Sequence, residues 1–86
     1  MKNIKLYISK DVEEKVLYKH GLELEELNNA LEHGNSRIFK QGHGVYIMIT
    51  HYTRYVTFIF KRDKEEASMI TAYPSSDSQI RRYNKK

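Results

Sequence analysis

Cysteine and tryptophan are both missing from these 86 residues, and proline occurs once. Without thiols there is no disulfide, no thiolate nucleophile and no zinc site of the usual thiolate kind, so the fold has to hold by packing alone. Long apolar runs are missing too. No stretch approaches the roughly 18 to 20 residues that a membrane span needs, and the first residues lack the apolar core of a secretory signal. The expected setting is cytoplasmic, with no membrane partner. A Gly-rich phosphate loop, a nucleophile elbow and a pair of catalytic carboxylates are also absent, and Gly42 and Gly44 around His43 match no phosphate-binding fingerprint. This argues against nucleotide hydrolases and dehydrogenases. His20, His33, His43 and His51 contain no His-x-x-x-His pair, so no metal site and no cofactor is expected.

What is present fits one domain over residues 1–86. Hydrophobic residues make up 40% of the chain, enough for a single sheet under one helical layer, while 30% charged residues leave a very polar exterior. The net charge of +4 is unevenly placed. Residues 1–34 hold five Lys against seven Asp and Glu, a net of −2, and residues 35–86 hold ten Lys and Arg against four acids, a net of +6. A positive field over the second part attracts polyanions and speeds encounter with them.

Ile4, Leu6 and Ile8 alternate with Lys5 and Tyr7, the period of a half-buried strand. Asp11, with Glu14 three residues on, predicts a helix start. Lys19 and His20 fall in that helix's last turn and Gly21 is placed to end it in a left-handed conformation. Leu24, Leu27 and Leu31 predict a second helix that stops at Gly34. From there the period is two. Strands are expected over 38–41, 45–50, 55–61 and 67–73, with a turn at Gly42-His43-Gly44, an exposed connection over 62–66, and Pro74 as the stop. Residues 77–84 carry a short final helix supported by Ile80 and Tyr83.

This order predicts an α+β fold: an N-terminal strand, two helices, then a three- or four-stranded antiparallel sheet with a short C-terminal helix. If Val56, Phe58, Phe60, Ile70 and Ala72 face the helices, Tyr55, Thr57, Thr71 and Tyr73 face the other side by parity, which is left open for a ligand. Beside that face lies the basic tail of Arg81, Arg82, Tyr83, Lys85 and Lys86. Cations for phosphates and aromatic faces for bases suit RNA. Metal-free RNA cleavage needs a base for the 2′-hydroxyl proton, cations for the phosphorane charge and an acid for the leaving 5′-oxygen. Histidine suits the proton transfers and arginine the phosphate. His20, at a helix end beside Gly21, is the first candidate.

The Thr71-Ala72-Tyr73-Pro74 strand ending, the early Lys19-His20-Gly21 and the final Arg81-Arg82-Tyr83 resemble small RelE-like ribonuclease toxins, BrnT-type members above all. The resemblance implies a RelE-like fold and an endoribonuclease that cuts RNA through 2′-hydroxyl attack without metal. It implies His20, Arg54, Thr71 and Tyr73 as catalytic residues and Lys19, Tyr55, Arg81, Arg82 and Tyr83 as RNA-binding ones. The partners it implies are RNA and a small cognate antitoxin, and self-association is compatible with it. Where such toxins usually carry arginines flanking the last strand, this chain has Ser68 and Tyr73. Two other readings remain: a non-catalytic RNA-binding module using Tyr55, Tyr73 and Tyr83 as stacking platforms, and a protein-interaction module using the sheet edge.

Overall fold

The computed structural model describes residues 5–85. Ile4 of the expected first strand and Lys86 of the basic tail lie outside them. The first helix, α1, spans Lys10–His20. Its N-cap is Ser9 rather than Asp11: Ser9 has an extended backbone and its hydroxyl accepts from the Val12 amide at 3.2 Å. Asp11 instead lies inside the first turn, where its charge favours the positive end of the helix. Gly21 closes the helix at φ 68° and donates to the Leu17 carbonyl, the left-handed ending expected of it. Helix α2, Leu24–His33, buries Leu27 and Ala30. Gly34 follows with an ordinary φ, and the need for glycine there is spatial. A Cβ at that position would fall 2.5 Å from the Ala30 carbonyl oxygen and 2.6 Å from Thr50 Cγ2.

The remaining chain forms an antiparallel meander of β1 (Asn35–Gly42), β2 (Val45–His51), β3 (Tyr55–Asp63) and β4 (Glu66–Pro74), in that spatial order. β1 is longer than the expected 38–41. Asn35 and Ser36 are weak strand formers, but they pair with His51 and Thr50, and the Ser36 and Thr50 hydroxyls bond at 2.8 Å. One face of the sheet carries Met48, Val56, Phe58, Phe60, Ala67, Met69 and Ala72 into a core closed by Val16, Leu22, Leu27 and Ala30.

The expectation for Ile70 fails at one position. The β3–β4 register jumps from Ile59↔Thr71 to Phe60↔Met69, leaving Ile70 as the extra residue of a bulge. Parity flips there, so Met69 enters the core and Ile70 stays 43% exposed. The N-terminal strand is likewise reduced, among the described residues, to one parallel bridge of Tyr7 with Ser68, held by two backbone hydrogen bonds. The ladder on this edge stops where the bulge begins.

Helix α3, Asp77–Asn84, begins with a full capping box formed by Ser76 and Gln79. It lies across the face of the sheet opposite α1 and α2, linked to Thr57, Tyr55, Asn35 and Phe39. The face expected to be open is therefore covered in part, and Thr57 and Ile49 on it are fully buried.

Candidate functional site

Two groups of side chains stand out, one at each end of α3. The first forms where the C-terminal end of α1 meets the end of β4. The His20 and Tyr73 rings approach to 5.8 Å between centroids, tilted by 48°. Gly21 makes this possible, because the left-handed residue ends α1 at His20 rather than carrying it further along the edge of the sheet.

Tyr73 is oriented from the other side by α3. The Gln79 side-chain oxygen accepts from the Ser76 amide at 2.9 Å and from the Thr57 hydroxyl at 3.0 Å. A backbone N–H can only donate, so the atom facing it is the amide oxygen and the other terminus is the NH2 group. That group donates to the Tyr73 hydroxyl at 3.0 Å. The Tyr73 oxygen is thus an acceptor in this bond, and its own proton is left to donate elsewhere. Thr57 gives its proton to Gln79 and so receives one from Ser75 at 2.6 Å. The polar chain Ser75, Thr57, Gln79, Tyr73 links the buried Thr57 hydroxyl on β3 to the half-buried Tyr73 phenol.

Thr71 lies two residues before Tyr73 on the same face, half-buried and opposite Ile59. Lys19 is exposed beside His20, with no carboxylate partner among the described residues. Arg54 directly precedes β3, and its guanidinium is held by Glu26 of α2 in a two-bond pair at 2.7 and 3.1 Å. These hydrogen bonds raise its pKa further, with burial acting the other way. Its hydrogen bonds go to Glu26, not to His20 or Tyr73.

The second group lies on the β1 side. Tyr55 stacks on His51 at 4.3 Å and meets the Tyr83 ring edge-on at 5.4 Å, while the Tyr83 hydroxyl donates to the Asn35 carbonyl. Both rings are thus packed into the joint between α3 and the sheet. Arg81 and Arg82 line an open groove together with Arg37, Phe39, Ser78 and Lys85. Gln79, Ser75, Arg37 and Phe39 were not expected from sequence. The spacing Ser76-x-x-Gln79 is a capping signature that would have located the first of these.

The fold has a counterpart among solved structures. The crystal structure of the Brucella abortus ribonuclease toxin BrnT superimposes with a TM-score of 0.65, covering 86% of this chain and 99% of that one at 19% identity. The two chains share a fold. The BrnT-type α+β architecture expected from sequence is the one observed. No protein-family model and no curated protein matches the chain. No helix among the described residues is long and apolar enough to cross a membrane.

Proposed function

We propose that this chain is a single-domain endoribonuclease toxin of a toxin–antitoxin pair, cutting RNA by attack of the 2′-oxygen without a metal ion. The observation that carries this reading is the meeting of His20 with Tyr73, whose phenol proton is left free by the Gln79 donor, on a fold shared with a ribonuclease toxin. In the proposed reaction His20 takes the 2′-hydroxyl proton and the 2′-oxygen bonds to phosphorus. The bond to the 5′-oxygen breaks, and that oxygen leaves with the proton of Tyr73. The products are a 2′,3′-cyclic phosphate and a 5′-hydroxyl, and proton return from His20 to Tyr73 through solvent resets the site. Lys19 supplies positive charge beside His20, and Thr71 offers a hydroxyl to the same phosphate. Arg54 acts there only if substrate draws it from Glu26.

The metal-free part of the proposal follows from the roles given to His20 and Tyr73, which account for both proton transfers without a divalent ion. An antitoxin that blocks the His20–Tyr73 end, and a cytoplasmic setting, accompany the toxin reading. The test is incubation of the purified chain with end-labelled RNA in excess EDTA. Cleavage leaving 2′,3′-cyclic ends is expected. Activity lost to the chelator and restored by a divalent ion overturns the mechanism, and intact RNA at saturating protein overturns the enzyme reading in favour of a binding module.

A further inference from the structure

The groove between β1 and α3 is not used by this chemistry. The Arg82 guanidinium carbon lies 4.1 Å from the Phe39 ring centroid and that of Arg37 5.5 Å from it. Arg37 is engaged on its other side, donating to the carbonyls of Tyr83 and Lys85, both at 2.6 Å. These belong to the unsatisfied end of α3, so Arg37 fastens the helix to β1 while its charge remains in the groove. Arg81 and Arg82 have no carboxylate partner among the described residues. The lining therefore holds four cations and no acid.

Uncompensated positive charge alone would suit any polyanion. The Phe39–Arg82 stack narrows the choice. Arg82 is exposed, so a guanidinium plane backed on one side by an aromatic ring offers its other face outward. Unpaired nucleobases stack on such planes, whereas in a duplex both faces of a base are already covered by its neighbours.

We propose that Arg82, backed by Phe39, is a stacking platform for an unpaired base of single-stranded RNA, with Arg81 and Lys85 contacting its phosphates and Arg37 holding the platform in place. This rests on the reading that the chain acts on RNA, and it names the substrate class. The register row Arg37, Ile49, Thr57, Tyr73 crosses three strand spacings, roughly 14 Å, from the platform's side of the sheet to the His20–Tyr73 cluster. A substrate that occupies both must run beside α3 as a single strand.

A 2′-O-methyl oligonucleotide cannot be cleaved by 2′-oxygen attack, so its binding is separate from chemistry. Anisotropy titrations at fixed salt would compare it with its duplex and with a version lacking its bases, using the parent, Phe39→Leu and Arg82→Lys. The parent should prefer the single strand. Each variant should weaken binding of the base-bearing strand roughly fivefold or more, the scale of one lost stack, and leave binding of the abasic strand unchanged. Equal loss on the abasic strand reduces Arg82 to a phosphate contact and overturns the proposal. So does unchanged binding, or a parent that prefers duplex. Phe39 is half-buried, so Arg82→Lys, on an exposed side chain, decides if Phe39→Leu lowers the melting temperature. Cleavage of ordinary RNA, assayed in parallel, separates the two readings. A parent that binds as described without cleaving sinks the enzyme alone, and a parent that cleaves while Arg82→Lys binds normally sinks the platform alone.

Discussion

Gln79→Leu removes a side chain of similar size from the one place where α3, the buried Thr57 and Tyr73 meet. Three hydrogen bonds are lost: to the Ser76 amide, the Thr57 hydroxyl and the Tyr73 hydroxyl. Their costs differ. The Ser76 amide is exposed and rehydrates, and Tyr73 is half-buried, so together these contribute about 1 kcal/mol. Thr57 is fully buried, and although it still accepts from Ser75, its own proton loses its acceptor, for about another 1 kcal/mol. The expected total is about 2 kcal/mol, which for a domain of this size lowers the melting temperature by roughly 8 to 16 °C. Circular dichroism melts measure the shift, and hydrogen exchange should show the amides of α3 losing protection before those of β2 and β3. A double-mutant cycle with Tyr73→Phe isolates the Gln79–Tyr73 bond at about 0.5 kcal/mol. A fall of less than about 2 °C with α3 protection intact would refute the polar docking of this helix.

Gly34→Ala should cost roughly 1–3 kcal/mol in chemical denaturation, because the added methyl meets the Ala30 carbonyl and Thr50, and backbone cannot yield cheaply; a loss under about 0.5 kcal/mol would show that α2 shifts freely. Arg54→Ala should cost less than about 1 kcal/mol, since the pair with Glu26 is partly exposed and screened by solvent. Its pH dependence follows from the raised Arg54 pKa: that contribution is complete below the arginine's unfolded value and is lost only as pH rises through the higher folded one. The cost should therefore be the same at about pH 6 and about pH 9, and a difference between them would show that another group governs the site. His20→Ala should slow single-turnover RNA cleavage by roughly 10²-fold or more while leaving affinity unchanged; equal losses in both would make His20 a contact residue instead.

Periodicity made most of the fold legible. Val56, Phe58 and Phe60 alternate without interruption, and their faces are those expected. Ile70 could not be placed by the same rule, because Met69, Ile70 and Thr71 are all good strand formers and nothing local marks which of them is extra. The bulge exists only in the pairing with β3. Ser9 and Asp11 are both good caps two residues apart, and the choice falls to the one whose backbone is extended. At the site, His20 and Tyr73 were legible because a helix stop and a strand stop each leave a local mark. Arg37 and Phe39 were not, since their importance comes from a helix some forty residues further along that docks on them.

Helix α3 explains why so much of the site escapes local signals. None of its residues is fully buried, so the hydrophobic term that holds α1 and α2 contributes little to it. Its attachment is polar at both ends: Gln79 to Thr57 and Tyr73 near the start, and Arg37 and the Tyr83 hydroxyl bridging to β1 near the finish. Such links depend on partners far away in sequence and leave no periodic pattern. They also fix orientation more than they add stability, since each is worth about 1 kcal/mol net. The same bonds that hold the helix set which way the Tyr73 proton points and keep Arg82 above Phe39. Order at the two ends is thus coupled through one short, polar-docked helix, and a change that loosens it disturbs both the proposed chemistry and the proposed platform while the core under β2 and β3 stays intact.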